Sequence, residues 1–214
     1  MIEAVLWDFG GVITSSPFEA FNRMEAEKSL PHNLVRKINS TNPDTNAWAK
    51  FERSEISVAE FDTLFAEEAT AQGHDLRGND VLACLAGDLR PEMVKALNTI
   101  AAKYKTACIT NNVNTGAGPG MARSEEKANA IAHVMETFDH IIESSKAGIR
   151  KPDPRIYQMA CEAIGVAPAN CIYLDDLGIN CKPAAALGMK AIKVTSADQA
   201  LDDLGATLDM DLRA

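Results

Sequence analysis

The sequence lacks the features that mark membrane and secreted proteins. No stretch of the 214 residues approaches the roughly 20 consecutive apolar residues that a membrane-spanning helix needs. The N-terminus has no basic stretch leading into a long apolar one, so we expect no signal peptide. The five cysteines include no C-x-x-C pair and most lie in apolar segments, which is typical of buried thiols in a reducing compartment. These absences predict a cytoplasmic protein with no membrane partner, disulfide framework or zinc site.

Positive charge is also scarce. Lys and Arg number 21 against 30 Asp and Glu, which gives a formal charge of -9. Because polyanions repel such a surface, nucleic acid and anionic membranes are excluded as main partners. Hydrophobic residues make up 46% of the chain and charged residues 24%, the ordinary range for a folded globular protein. The length suffices for one domain that carries a smaller insert.

Several catalytic signatures are missing as well. The chain has no Walker-type Gly-Lys-Ser/Thr and no G-x-S-x-G elbow, and its four histidines show no metal-ligand spacing. The one Gly-rich piece, residues 116–120, lacks the fixed spacing of a dinucleotide-binding loop. It is typical of a flexible surface loop, although its place after a strand leaves a role at the rim of a site open.

Short apolar runs alternate with helical patterns along most of the chain. Continuous apolar runs of this length suit strands buried on both faces of a parallel sheet, and they predict strands at 4–7, 106–109, 140–142, 171–174 and 191–194. Apolar residues at helical spacing predict helices at 91–104, 154–164 and 180–187. Strands separated by helices predict an α/β fold with right-handed crossovers.

One region, residues 15–87, breaks this alternation and contains only helix signals. Ser16-Pro17-Phe18-Glu19 and Ser57-Val58-Ala59-Glu60 both have the pattern of a capping box that opens a helix. About 70 residues between the first two strands are too many for a simple crossover. We therefore predict a core domain of residues 1–14 and 88–214, with a helical cap of residues 15–87 over the carboxyl edge of the sheet. The Met and Phe residues of the cap are expected to form its own core.

Acidic and amide side chains follow the apolar strands. Asp8 follows the first strand, Thr110-Asn111 the second, and Asp175-Asp176 the fourth. In open α/β sheets, ligands bind outside the carboxyl ends of the strands. Taken singly, each residue has the alternative of capping a helix or forming a turn. Three carboxylates at one sheet edge repel one another unless a cation such as Mg²⁺ lies between them, so together they indicate a metal site.

A lysine near a helix start completes the set. Lys151 lies in the segment 148–154, just before a predicted helix. Its ammonium could neutralise a bound anion at the same sheet edge. The alternative is a solvated loop lysine, which is the usual fate of this residue type.

In this order, the motifs resemble those of the haloacid dehalogenase superfamily. The series comprises a strand then Asp8, a strand then Thr110-Asn111, then Lys151-Pro152, and a strand then Asp175-Asp176, and it spans residues 4–194. Segments 52–57, 138–144, 148–157 and 174–184 further resemble the branch that contains the N-terminal phosphatase domain of bifunctional epoxide hydrolases. The α/β-hydrolase domain of those proteins has no counterpart in this sequence, so no epoxide chemistry is expected.

The resemblance implies a doubly wound sheet of strand order 5-4-1-2-3, with a helical cap inserted after the first motif. It also implies that Asp8 attacks phosphorus and forms an aspartyl-phosphate that water hydrolyses. Mg²⁺ would be held by Asp8, by the backbone carbonyl of Gly10 and by a carboxylate of the last motif. Asp176 is the better candidate for that carboxylate, with Asp175 close by.

The remaining motif residues would bind the small phosphate ester. The Thr110 hydroxyl and the Asn111 amide would hold phosphoryl oxygens, with Gly10 beside them. Lys151 would offset the charge on the nucleophile and the phosphoryl group. Whether the protein is a monomer or a homodimer is left open by the sequence.

One position departs from the pattern of the superfamily. Most of its phosphatases have a second Asp two residues after the nucleophile, acting as general acid and base, whereas this chain has Gly10. Glycine offers a carbonyl to a metal but no proton to a leaving alkoxide, and general acid catalysis is worth about 10² to 10⁴ in rate. Dehalogenases usually have Tyr there, so their pattern is not matched either.

Three hypotheses follow. The first is a Mg²⁺-dependent phosphatase that prefers leaving groups needing little protonation, such as aryl, acyl or anomeric phosphates. The second is a carbon-halogen or other C-centred hydrolase that uses the same Asp8 nucleophile without a metal. The third is a binding module that retains the pocket and has lost turnover; Gly10 supports it, while the intact Asp8, Thr110, Lys151 and Asp176 oppose it.

Overall fold

The computed structural model describes residues 1–114 and 124–213, so the Gly-rich piece at 116–120 lies outside the described residues. Five strands form a single parallel sheet of order β3-β2-β1-β4-β5, which read from the other edge is the expected 5-4-1-2-3. The strands are β1 (Ala4–Trp7), β2 (Lys105–Thr110), β3 (His140–Glu143), β4 (Cys171–Asp175) and β5 (Lys190–Lys193).

The central strand β1 sets the geometry of the sheet. It pairs with β2 on one side and β4 on the other, in a register that places Trp7 opposite Cys108 and Leu174. All four residues of β1 are inaccessible to solvent, as expected for an apolar strand covered on both faces. The polar residue that follows β1 therefore emerges between the ends of β2 and β4.

Helices cover both faces of the sheet, which confirms the doubly wound fold. Side chains alternate along β1, so Val5 and Trp7 join the hydrophobic cluster on one face, while Ala4 and Leu6 join the cluster on the other. The helices of this part of the chain are α6 (Pro91–Ala101), α7 (Glu125–Met135), α8 (Ser144–Ala147), α9 (Pro154–Ile164), α10 (Gly178–Ala186) and α11 (Ala197–Leu208).

Most of the predicted elements are confirmed, with shifted ends. Helix α6 ends three residues before the predicted 104, because the chain turns at 102–104 to enter β2. Helix α10 begins at Gly178, two residues before the predicted start, because the Leu177 carbonyl already accepts from the Asn180 and Cys181 N–H groups. The helix α11 was not predicted, although it buries residues at helical spacing: Ala200, Leu201, Leu204 and Leu208.

Five helices lie between β1 and α6, in the region of residues 15–87 where the sequence showed only helix signals. Their own hydrophobic cluster is built from aromatic and aliphatic side chains, and the Phe51 and Phe61 rings stack with centroids 4.7 Å apart. Met24 belongs to the same cluster, so the Met and Phe residues form an internal core here as expected. The helices are α1 (Pro17–Glu27), α2 (Leu34–Ser40), α3 (Ala47–Glu52), α4 (Val58–Ala71) and α5 (Gly78–Leu82).

Two chain segments connect this helical insert to the sheet. They touch at an antiparallel bridge between Thr14 and Leu89, and the Ser15 N–H donates to the Asp88 carbonyl at 2.8 Å. The bridge lies at the predicted boundaries of the cap. The division into a core of residues 1–14 and 88–214 and a cap of residues 15–87 stays a prediction.

Of the two predicted capping boxes, one forms and one does not. The Ser57 hydroxyl accepts from the Glu60 N–H, and the Glu60 carboxylate accepts from the Ser57 N–H, which completes the box at the start of α4. Ser16 does precede α1, with Pro17 at the first helical position, but its side chain makes no capping hydrogen bond. The prediction of a capping box at Ser16 was wrong, because the Ser16 hydroxyl donates to the Asp176 carboxylate at 3.1 Å instead.

The cysteines are thiols, as expected from their apolar surroundings. Four of them are buried, namely Cys108, Cys161, Cys171 and Cys181. Across residues 1–114 and 124–213, every helix falls short of the length and apolar content that crossing a bilayer requires.

Candidate active site

The predicted convergence of carboxylates at one sheet edge is present. Asp8 follows β1, and its N–H donates to the carbonyl of Leu174 in β4 at 2.8 Å, which fixes its place beside the end of β4. Asp175 ends β4 and Asp176 follows it. One carboxylate oxygen from each of Asp8, Asp175 and Asp176 lies within 4.8 Å of the other two. Parallel strands therefore bring together side chains that are far apart in sequence.

Lys151 lies inside this cluster, so the alternative of a solvated loop lysine was wrong. Its side chain is 1% exposed, with Nζ 2.7 Å from Asp8 Oδ1 and 2.9 Å from Asp175 Oδ2. Burial alone lowers the pKa of Lys151, but the Asp175 and Asp8 carboxylates outweigh burial and raise that pKa above its usual value. The ammonium is charged and bridges two buried carboxylates.

Asp175 is saturated with hydrogen bonds. Its oxygens accept from the Tyr173 hydroxyl at 2.5 Å, the Leu177 N–H at 2.8 Å and the Asn180 amide at 3.1 Å, in addition to Lys151. A carboxylate has room for about four such donors. Asp175 therefore holds Lys151 and the turn after β4, and it has little capacity left for another ligand.

Asp8 has one oxygen in use and one available. Oδ1 accepts from the Phe9 N–H at 2.7 Å and contacts Lys151, while no donor contacts Oδ2 within residues 1–114 and 124–213. Burial is the main cause that raises the pKa of Asp8 well above its usual value; Lys151 lowers it, and the Asp175 and Asp176 charges raise it further. The cluster is thus short of positive charge.

A divalent cation would balance the charge of this carboxylate cluster. Three ionised carboxylates and one ammonium leave a formal charge of -2 in a mostly buried site. The donors are hard oxygen atoms, the ligand type that Mg²⁺ prefers. The residues present therefore fit a magnesium ion, with Asp8 and Asp176 offering the less occupied carboxylates.

The two glycines after Asp8 differ in what they require. At Gly11, φ is +78°, and an added Cβ would collide with the Asp176 carboxylate, so a side chain there is excluded. At Gly10, a Cβ meets no atom within 4 Å, and the backbone lies outside the left-handed region. Arg90 holds this loop by donating to the Gly11 carbonyl at 2.9 Å. Position 10 therefore has space for a side chain.

The two polar residues at the end of β2 have different surroundings. Asn111 Oδ1 accepts from the Lys151 N–H at 2.8 Å, and Nδ2 donates to the Lys151 carbonyl at 3.1 Å. The Thr110 hydroxyl has no hydrogen-bond partner in the part of the chain that the structure describes. Phosphoryl binding by Thr110 and Asn111 stays a prediction, and the contacts observed for Asn111 hold the segment of Lys151.

Sequence reasoning missed one residue next to these motifs, Glu52 at the end of α3. It is buried, and burial raises its pKa while Arg150 partly offsets that rise. Nothing in a short helix marks its last residue as buried, since the contacts that bury Glu52 come from segments far along the chain. The resemblance of residues 52–57 was the only available signal, and it singled out no residue.

Asp176 gives the first testable prediction. Burial and the Asp175 charge raise the pKa of Asp176 from 3.8 to about 6. Because the folded state then binds more protons than the unfolded state between these values, the free energy of unfolding falls as pH rises through this window. Asp176→Asn has no carboxylate to titrate at this position, so its free energy of unfolding does not fall for this reason. Its advantage over wild type is expected to grow by up to about 3 kcal/mol between pH 4 and pH 8.

Urea unfolding of both proteins in chelator measures this difference. Asp44→Asn is the matched control, because it makes the same substitution at an exposed aspartate outside the cluster. If the difference in free energy of unfolding between Asp176→Asn and wild type does not change with pH, burial and the Asp175 charge do not raise the pKa of Asp176.

Comparison with known proteins places this geometry in a family. Residues 2–188 match the haloacid dehalogenase-like hydrolase family. Mouse acyl-CoA dehydrogenase family member 10 is 32% identical over 98% of this chain, and pig bifunctional epoxide hydrolase 2 is 26% identical over 95% of it. The chain spans only 19% and 38% of those two relatives. Phosphatase MT3486 of Mycobacterium tuberculosis is 28% identical, with 97% of both chains covered.

Solved structures agree on the fold. A haloacid dehalogenase (HAD) family enzyme from Bacteroides thetaiotaomicron, in complex with magnesium and inorganic phosphate, superposes with a TM-score of 0.59 at 19% identity, covering 90% of this chain and 94% of that one. L-2-haloacid dehalogenase from Xanthobacter autotrophicus gives a TM-score of 0.61 at 17% identity, covering 97% and 83%. The chain belongs to the haloacid dehalogenase-like hydrolase family.

Proposed function

We propose that this hydrolase is a Mg²⁺-dependent phosphatase that acts on a small phosphate ester through an aspartyl-phosphate on Asp8. The observation that carries the proposal is the buried cluster of Asp8, Asp175, Asp176 and Lys151, which has a formal charge of -2 and an Asp8 oxygen to which no described residue donates. The phosphatase named among the relatives, which this chain matches over nearly its whole length, supports the same activity.

Asp8 Oδ2 is the attacking oxygen in this proposal. The Phe9 N–H and Lys151 Nζ hold Oδ1, so the carboxylate is fixed with Oδ2 directed away from them. A nucleophile held in one orientation loses little entropy on reaction. The new bond joins Oδ2 to phosphorus as the bond from phosphorus to the leaving oxygen breaks, and water then hydrolyses the acyl phosphate.

The other residues neutralise charge and bind the phosphoryl group. Lys151 stays protonated between the two carboxylates and offsets the charge that gathers beside Asp8. Within residues 1–114 and 124–213 the Thr110 hydroxyl has no partner, so its O–H is available to a phosphoryl oxygen. Asn111 contributes by holding the Lys151 segment. Asp8, Asp176 and the Gly10 carbonyl would hold Mg²⁺, which neutralises phosphoryl charge when bound.

Gly10 sets the expected substrate class. No side chain at position 10 can protonate a leaving alkoxide, so leaving groups that are stable as anions should react fastest. The test measures phosphate release from aryl, acyl, anomeric sugar and simple alkyl phosphates, with Mg²⁺ and with chelator. Release that needs Mg²⁺ and favours the first three classes supports the proposal. Release that is equal with chelator contradicts the metal requirement.

The open space at position 10 allows a direct test of this reasoning. Gly10→Asp is expected to raise turnover of simple alkyl phosphates by about a hundredfold, because the new carboxylic acid protonates the leaving oxygen. Gly10→Asn is the matched control, since it has the same shape and no acidic proton. If neither variant turns over alkyl phosphates faster than wild type, and circular dichroism shows that both are folded, another group already supplies the proton.

A C-centred hydrolase is the second candidate, and the same glycine favours it. Halide leaves without a proton, so a site that lacks a general acid at position 10 suits dehalogenation. Halide release from 2-haloacids in chelator, without phosphate release in Mg²⁺, would select this function. If neither product forms while Mg²⁺ and a phosphate mimic bind, the protein is a binding module.

A further inference from the structure

A carboxylate of the helical insert reaches the motif residues of the sheet edge. Glu52, the last residue of α3, is 5% exposed. Its Oε1 accepts from the Trp48 indole N–H at 2.9 Å, and its Oε2 accepts from the Asn111 amide at 3.4 Å. Its backbone carbonyl accepts from the Ser144 hydroxyl at 2.7 Å. The contacts with Asn111 and Ser144 join the insert to the residues that directly follow β2 and β3.

The contact with Asn111 leads directly to Lys151. An amide side chain can place its oxygen and nitrogen in either of two orientations, and the neighbouring groups select one. Glu52 presents only acceptor oxygens, so it selects the orientation in which Asn111 Nδ2 faces it. Asn111 Oδ1 is then directed to the Lys151 N–H at 2.8 Å, while Nδ2 also reaches the Lys151 carbonyl at 3.1 Å.

A second contact reaches Lys151 through its neighbour in sequence. Arg150 Nε lies 2.5 Å from Glu52 Oε2 as an ion pair, and another nitrogen of the same guanidinium donates to the Pro43 carbonyl at 2.8 Å. The residue before Lys151 is therefore bound twice by the insert. Lys151 must place Nζ within 3 Å of both Asp8 and Asp175, which leaves its backbone little freedom.

We propose that Glu52 is a positioning residue for Lys151, acting through the Asn111 amide and the Arg150 guanidinium. No contact in the described part of the chain joins Glu52 to the nucleophile Asp8, so we assign Glu52 no part in bond making. Because Glu52 belongs to the insert and Lys151 to the sheet edge, the Lys151 geometry is complete only while the insert is seated on the sheet. The kinetic part of this inference rests on the proposed phosphatase function; the structural part does not.

Glu52→Gln tests the kinetic part. The side-chain amide of the new glutamine brings an N–H donor next to the Asn111 and Trp48 donors. The substitution also removes the negative charge that pairs with Arg150. A misplacement of about 1 Å in a reacting group can lower the rate a hundredfold. We expect kcat to fall by about tenfold or more while KM stays near the wild-type value, at a temperature well below unfolding. The matched control is Glu55→Gln, which removes an exposed carboxylate paired with Arg53 at 2.6 Å and should keep wild-type kcat.

Hydrogen exchange measures the structural part without substrate. The Lys151 amide should exchange faster in Glu52→Gln than in wild type or Glu55→Gln, while amides of α9 keep their wild-type rates. A variant with lower melting temperature but unchanged kcat and Lys151 exchange would overturn the inference, since Glu52 would then only stabilise the fold. If wild type releases no phosphate, the proposed function fails, and exchange alone decides the inference.

A milder variant covers the case in which Glu52→Gln does not fold. Trp48→Phe keeps an aromatic ring in place and removes only the indole donor to Glu52. It should lower kcat less than Glu52→Gln and speed exchange of the Lys151 amide. Wild-type kcat and exchange in Trp48→Phe, with Glu52→Gln unfolded, would overturn the inference.

Discussion

Asp8→Asn is expected to reduce phosphate release by about 10⁴-fold or more, to the level of the background reaction. The amide has nearly the shape of the carboxylate, and it lacks the anionic oxygen that attacks phosphorus. Phosphate release in Mg²⁺ measures the change, with a substrate whose leaving group is stable as an anion. The exposed Asp44→Asn is the control and should keep wild-type activity.

The loss in Asp8→Asn should be purely chemical. In wild type, burial raises the pKa of Asp8, so keeping this carboxylate ionised opposes folding at neutral pH. The variant changes the formal charge of the cluster from -2 to -1 and leaves Lys151 paired with Asp175. Its free energy of unfolding at pH 8 should therefore be at least that of wild type. More than a tenth of wild-type release in a folded variant would show that the nucleophile lies elsewhere.

The arrangement of the sheet could be predicted because its signals are local. Each buried strand is a continuous apolar run, and β1 carries Asp8 at its end, where a parallel sheet gathers its ligand-binding residues. The order of motifs along the chain supplied the strand order by resemblance. The prediction that three carboxylates meet needed only this topology, and their oxygens do lie within 4.8 Å of one another.

Contacts between distant segments could not be predicted in the same way. Ser16 has the local pattern of a helix cap, and its hydroxyl instead bonds a carboxylate 160 residues away. In the sequence, Glu52 has the pattern of the last residue of a short surface helix. The fold brings Asn111 and Arg150 beside it. The saturation of Asp175 depends on Tyr173 and Asn180, whose side chains point inward only because β4 and α10 pack as they do.

Lys151→Met is expected to lower both activity and stability. The methionine fills a similar volume and leaves Asp8 and Asp175 buried without their shared cation. Removing one partner of a buried ion pair costs about 3 to 5 kcal/mol, because the remaining charge stays out of water. Phosphate release should fall to background for two reasons. The Asp8 carboxylate becomes easier to protonate, and no ammonium remains to offset the charge of the phosphoryl group.

The pH dependence of stability distinguishes this cause from simple loss of packing. Without the ammonium, the folded pKa of Asp8 rises further above its unfolded value, so the folded state binds more protons than the unfolded state over a wider pH range. The free energy of unfolding of Lys151→Met should therefore fall more steeply with rising pH than that of wild type. Urea unfolding at pH 5 and pH 8 measures both slopes. Lys146→Met is the matched control, because it removes an exposed lysine paired with Glu143. A slope for Lys151→Met equal to that of wild type would mean that the Lys151 charge does not stabilise the ionised Asp8.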